Sequence, residues 1–149
     1  MCKATQLYEK IVLLTGKPSK MIVELISFSY NSNNIPNANY LIDVRFLNNP
    51  FYIDELRGLT GLDKEVINFF KDDTENKTFI KELCRWIEYI LKVNKKTDKI
   101  VIGIGCTGGQ HRSPYIVECL GNYLLKKKLA GELSIYHTEL KKSTVVIGK

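Results

Sequence analysis

The chain is poor in the residues that mark several protein classes. Its 149 residues hold four cysteines, Cys2, Cys84, Cys106 and Cys119, with no Cys-x-x-Cys pair and no framework spacing. That excludes a disulfide scaffold and points to reduced thiols in a cytosolic protein. No run approaches the length of a membrane span, and no long apolar stretch follows a basic start. Neither a spanning helix nor a signal peptide is therefore expected. There is no internal repeat, and no low-complexity segment apart from Asn31 to Asn39, where five asparagines surround Ser32 and Pro36. No metal and no cofactor are expected. What remains is ordinary for a globular chain, 44% hydrophobic and 26% charged, and its length fits one domain with a real core.

The formal charge of +6 is unevenly spread. Residues 1–20 carry Lys3, Lys10, Lys17 and Lys20 against one glutamate. Residues 126–149 carry Lys126, Lys127, Lys128, Lys141, Lys142 and Lys149 against two, while the middle is close to neutral. Lysine-rich ends can attract nucleic-acid phosphates through counterion release, although such ends are commonly just solvated. There is no interleaved aromatic–basic patch of the kind that stacks single strands.

Alternation of apolar patterns predicts strands and helices in turn. Residues 1–20 read as a leader closed by the breaker Gly16-Lys-Pro-Ser19. Its Walker-like look fails, because the upstream glycine and the Gly-Lys-Ser/Thr order are missing. Strands are expected over Met21–Phe28, Tyr40–Phe46, Lys99–Ile104 and near Leu133–His137. Asp63 is placed to cap a short helix bearing Val66, Ile67, Phe69 and Phe70. Phe79, Ile80, Leu83, Cys84, Ile87, Ile90 and Leu91 recur at helical spacing, with Trp86 at the rim of that stripe. Strands alternating with helices imply a single α/β domain with a mainly parallel sheet flanked by helices.

The chemistry concentrates in Cys106-Thr107-Gly108-Gly109-Gln110-His111-Arg112-Ser113. A buried strand precedes this octet. A helix bearing Ile116, Val117, Leu120 and Leu124 follows it, with Ser113 expected at the N-cap and Pro114 in the first turn. Strand, glycine-rich turn and helix N-terminus together present backbone N–H groups and a helix dipole to an anion. Arg112 can add a two-pronged contact. Cys106, five residues and Arg112-Ser113 also give the spacing of cysteine-based phosphatases, with Cys106 as nucleophile, Arg112 as clamp and Asp43 as general acid. Against that stands inert packing of a buried thiol. Gly105 precedes the cysteine, where many such enzymes carry a histidine, so the balance leans away from an enzyme. Asp43 and Arg45 share a strand face if that strand continues, and otherwise read as a surface ion pair. His111 defaults to a structural hydrogen bond, and His137 is the weaker candidate.

Three motifs in order carry a resemblance. Leu41-Ile-Asp-Val-Arg-Phe-Leu-Asn-Asn-Pro50, Leu56-Arg-Gly-Leu-Thr-Gly-Leu-Asp63 and Ile104-Gly-Cys-Thr-Gly-Gly-Gln-His-Arg-Ser113 resemble the C-terminal domain of the RapZ/YvcJ family of RNase adapter proteins. The likeness divides the chain into a leader (1–20), a domain similar to that C-terminal domain (21–142) and a tail (143–149). Family members also carry an N-terminal P-loop domain, which is not matched here, so nucleotide binding is not carried over. The resemblance implies a cytoplasmic domain that senses a sugar or amino-sugar phosphate. Its pocket would be formed by Asp43, Arg45, Cys106, Thr107, Gly108, Gly109, His111, Arg112 and Ser113. It further implies contact with structured RNA through Lys126, Lys127, Lys128, Lys141 and Lys142, and delivery of that RNA to an endoribonuclease. About five lysines on one monomer would hold RNA weakly, so a homo-oligomer that multiplies the patch is expected. Two departures stand out: Asn-Asn-Pro-Phe follows the Asp-Val-Arg motif, and Gln110 occupies a commonly basic position.

Overall fold

Apolar alternation in Ile22–Ser29 builds the central strand, β1. The computed structural model describes residues 21–147, so the 1–20 leader lies outside the described residues. Four more strands follow: β2 (Tyr40–Asp43), β3 (Lys99–Cys106), β4 (Glu132–His137) and β5 (Lys142–Ile147). They form one sheet in the order β2-β3-β1-β4-β5. The first four run parallel, and β5 pairs antiparallel with β4. The expected mainly parallel α/β sheet is therefore what this sequence forms.

Register decides which side chains make the core. Val23, Leu25, Ile100, Ile102, Ile104, Leu133 and Ile135 line one face of the sheet and are buried. Helices α1 (Asp54–Arg57), α2 (Lys64–Asp72), α3 (Thr74–Val93) and α4 (Arg112–Lys126) follow in chain order. The last three add Val66, Phe70, Leu83, Ile87, Ile90, Ile116, Leu120 and Leu124 to the same cluster. Each such side chain contributes about 1.5–3 kcal/mol by leaving water. On the opposite face Phe28 lies over Gly103 and Gly105. A Cβ on Gly105 would stand 2.5 Å from the Phe28 ring and from the Tyr30 ring. Glycine there is a packing requirement.

Several boundaries differ from the sequence reading for local reasons. β2 stops at Asp43 rather than running to Phe46, because the Asp43 carboxylate accepts the Arg45 backbone N–H at 2.9 Å. That Asx-type turn diverts the chain. Helix α4 begins at Arg112, with His111 at the N-cap making no side-chain cap bond. Ser113 therefore lies inside the first turn, where its buried hydroxyl donates to the Phe28 carbonyl at 3.3 Å. Asp63 does sit at the N-cap of α2, yet its carboxylate takes the Thr60 N–H and hydroxyl, at 2.7 and 2.8 Å. Asp73, unremarked in the sequence, caps α3 by accepting from Glu75 and Asn76. The segment set apart as a tail continues the sheet instead: Thr144-Val-Val-Ile147 pairs with β4.

Candidate functional site

The carboxyl ends of β1, β2 and β3 meet above the start of α4, where ligands sit in open α/β sheets. The turn from β3 to α4 is the glycine-rich octet, and it is tied down from three sides. From β1, the Ser29 hydroxyl donates to the Thr107 carbonyl at 2.6 Å. From α1 and its following loop, the Gln110 amide donates to the Arg57 and Leu59 carbonyls at 3.0 and 2.6 Å, and Gly61 N–H donates to the Gln110 carbonyl at 2.9 Å. Gly61 lies so close that a Cβ would be 2.2 Å from the His111 carbonyl oxygen. From the β4–β5 turn, Glu139 covers Gly109, whose φ of +66° is the left-handed conformation that favours glycine.

Above this loop lies a pocket of about 340 Å³. Five of the expected residues line it: Cys106, Thr107, Gly108, His111 and Arg112. Gly109 and Ser113 are not among the lining residues and contact Cys106 instead. Gly109 N–H donates to the Cys106 sulfur at 3.2 Å, and the Ser113 hydroxyl stands 3.1 Å from the same sulfur. Asn31, Asn49, Phe51 and Tyr52 also line the pocket and were missed from sequence. Asn49 caps the 3-10 turn Pro50–Tyr52 by accepting from Phe51 N–H. The Asn-Pro pair could have flagged this turn, but no periodicity marks two aromatic residues on one turn of a loop. The wall is stiffened by Arg57, whose guanidinium lies 5.3 Å from the Phe51 ring centroid.

Arg112 is the charged centre of the pocket and is 5% exposed. Its Nη1 donates to the Arg45 and Leu47 carbonyls at 2.6 and 3.2 Å, and its Nη2 to the Thr107 hydroxyl at 3.2 Å. Its buried Nε finds no hydrogen-bond partner among the described residues. A buried charged donor left unpaired is costly. The Asp43–Arg45 ion pair stands outside the pocket wall. Arg45 grips the Asp43 carboxylate at 2.7 Å and lies 4.3 Å over the Tyr30 ring, while both side chains stay about half exposed. The Arg45 guanidinium holds the Asp43 carboxyl below the usual carboxylate range. Arg45 reaches Arg112 through its carbonyl rather than its side chain.

The two histidines are structural in geometry. His111 Nε2 is 3.0 Å from the Leu56 carbonyl, and burial pushes its pKa below the ordinary histidine value. His137 lies between the Ser27 hydroxyl at 2.8 Å and the Glu118 carboxylate at 2.9 Å, joining β1, β4 and α4. The five lysines are not brought together. Lys141 closes the β4–β5 turn and Lys142 opens β5, at the pocket end of the sheet. Lys126, Lys127 and Lys128 lie at the far end of α4, about 20 Å along its axis from Arg112. No His/Cys/Asp/Glu cluster among the described residues could hold a metal, and no helix there is long and apolar enough to cross a membrane.

A parallel α/β domain with a pocket built on the strand–loop–helix turn at its carboxyl edge is the class these features define. The model of the RapZ C-terminal domain matches residues 21–141. The chain belongs to that family. It is 41% identical over 133 residues to a protein named as a nucleotide-binding protein in Histophilus somni strain 2336, covering 87% of this chain and 45% of that protein. A Staphylococcus aureus strain JH9 protein of the same description is 43% identical over 104 residues, or 68% of this chain and 34% of its own length. The chain thus spans less than half of the curated relatives it matches.

Proposed function

We propose that this domain binds a phosphorylated metabolite, of the sugar or amino-sugar phosphate class, in the Cys106–Arg112 pocket. The observation that carries the reading is Arg112: a buried guanidinium with an unpartnered Nε, lining a pocket at a helix N-terminus. A phosphoryl group in the pocket would meet the charge of this guanidinium, and the dipole of α4 adds to the attraction. The carbonyls of Arg45 and Leu47 fix the guanidinium beforehand, so little ordering is left for the binding step. Asn31 and Asn49 can serve hydroxyl groups on the ligand body, and Phe51 and Tyr52 offer it a flat apolar wall.

Binding rather than turnover is the reading these contacts support. A cysteine phosphatase needs a general acid, and Asp43 is held ionised by Arg45. It also needs its loop organised from the residue before the nucleophile, and at Gly105 two aromatic rings leave no room for a side chain. As in the resemblance, the domain would then act as a regulatory adapter, with structured RNA as its second partner. Lys141 and Lys142, at the pocket end of the sheet, are the ones through which occupancy could be coupled to RNA, and the Lys126–Lys128 group would anchor a more distant part of the backbone.

The test is calorimetry of the full chain and Arg112→Ala against glucosamine 6-phosphate, glucose 6-phosphate and inorganic phosphate. Loss of a charged hydrogen bond should weaken binding by about 1.5–3 kcal/mol. Unchanged affinity in the variant would remove Arg112 from the site.

A further inference from the structure

We propose that the cleft between α2 and α4 is a second small-molecule site, taking a zwitterionic α-amino acid with an apolar side chain and coupled to the phosphate pocket. The cleft encloses about 460 Å³, a size usual for a ligand pocket. Its two charged side chains come from different walls, Lys71 from α2 and Glu118 from α4. Among the described residues no ion pair joins them: Glu118 is held instead by His137 Nε2 at 2.9 Å, and Lys71 has no carboxylate within reach. Both charges nevertheless act on one sulfur, that of Cys119. Burial pushes this thiol up, the bond from Tyr115 and the charge of Lys71 draw it down, and Glu118 raises it. Between the charges the lining turns apolar, with Leu62, Ile67 and Tyr115. That floor is preformed, because the buried Tyr115 ring stacks on Phe70 with centroids 4.6 Å apart and planes 16° from parallel. An ammonium on one wall and a carboxylate on the other match the two ends of an amino acid, whose side chain then covers the floor. A ligand with one charge would meet one of them as a like charge, so the pair selects the zwitterion.

The cleft and the phosphate pocket share a stretch of backbone. Gly61, which lines the cleft, donates its N–H to the Gln110 carbonyl at 2.9 Å. A Cβ on Gly61 would stand 2.2 Å from the His111 carbonyl oxygen and 2.7 Å from the Tyr115 nitrogen. Tyr115 N–H in turn donates to the His111 carbonyl at 3.2 Å. Gln110 and His111 line the phosphate pocket. Contacts this close transmit a shift rather than absorb it. An amino acid seated against Gly61 and Tyr115 therefore biases the loop that holds the phosphoryl group, and the coupling factor is the same in both directions. This coupling rests on the phosphate-binding reading; the amino-acid site does not.

Calorimetry of the full chain with L-leucine, L-methionine and L-phenylalanine tests the cleft, with leucinamide and N-acetyl-leucine as analogues that each lack one charge. At least one of the three amino acids should bind, and each analogue should bind about 10-fold or more weakly than L-leucine, the worth of one charged hydrogen bond. Lys71 is exposed, so its variants should keep the circular dichroism of the wild type. Lys71→Gln should weaken L-leucine and remove its advantage over leucinamide, whereas Lys71→Arg should keep both. Saturating L-leucine should change the dissociation constant of glucosamine 6-phosphate several-fold, and the sugar phosphate should change that of L-leucine by the same factor. No binding of any of the three amino acids, or leucinamide binding as tightly as L-leucine, would overturn the site. L-Leucine that binds without altering sugar-phosphate affinity would overturn the coupling. L-Leucine that binds a chain with no affinity for any sugar phosphate would overturn the phosphate reading and the coupling with it, and uphold the cleft.

Discussion

Arg112 and Cys106 stand side by side in the pocket, yet their surroundings ask different things of them. Arg112 is held by the carbonyls of Arg45 and Leu47 and by the Thr107 hydroxyl, and only its Nε is without a partner among the described residues. Cys106 is 2% exposed and already receives the Gly109 N–H on its sulfur. A nucleophile must reach phosphorus in line, and a buried sulfur occupied by its own loop is badly placed for that. The expected outcome is no measurable hydrolysis of p-nitrophenyl phosphate by the wild-type chain, with Cys106→Ser keeping its sugar-phosphate affinity. Turnover that disappears in Cys106→Ser would reinstate the enzyme.

At the scale of elements, the loop is shaped less by its own sequence than by what presses on it. Gly109 takes φ +66° because the chain must turn between β3 and α4 while passing under Glu139. Alanine there meets both a left-handed backbone penalty, about 1–2 kcal/mol, and the Glu139 side chain. Gly109→Ala should therefore lower the unfolding free energy by about 1–3 kcal/mol in urea denaturation. Gly108→Ala should cost far less stability, because a Cβ at Gly108 meets nothing within 4 Å. Equal effects at the two positions would contradict this account of the turn.

For the whole molecule, burial of His111 links stability to pH. Its folded-state pKa lies below the unfolded value near 6.5, chiefly from desolvation. The folded state therefore binds fewer protons as pH falls through that region. The stabilising contribution is fully present above about pH 6.5 and is lost as pH drops through the lower, folded pKa. Chemical denaturation from pH 7.5 to 5 should show falling stability, and His111→Gln should flatten that slope. Charge acts at the same scale. With Lys141 and Lys142 at one pole and Lys126–Lys128 at the other, RNA contact should be steeply salt-dependent and need an RNA, or an oligomer, that spans both. In gel shifts at low salt, replacing Lys141 and Lys142 by alanine should remove any effect of sugar phosphate on RNA binding, whereas replacing Lys126–Lys128 should weaken binding without removing that effect. No shift at low salt would leave the ligand pocket without an RNA role.

Much of this was legible along the chain because it depends on local period and near neighbours. The strand Lys99–Cys106, the α4 stripe of Ile116, Val117, Leu120 and Leu124, and the α3 stripe follow from which positions must face a core. The octet and its family follow from residue types at fixed spacing. By sequence Asp43 and Arg45 belong to the pocket, with a surface pair as the other reading, and the turn at Asp43 decides for the pair. The tertiary structure decided the rest, since it brings distant segments together. Phe51 and Tyr52 reach the pocket over more than fifty residues of sequence, and Arg112 is fixed by carbonyls at 45 and 47. Helix α4 starts early because His111 and Ser113 find partners on other elements. The lysines separate because a helix of fifteen residues carries one group to the far pole. Periodicity determines which face of an element is buried; only packing determines what that face, and the loops between, finally touch.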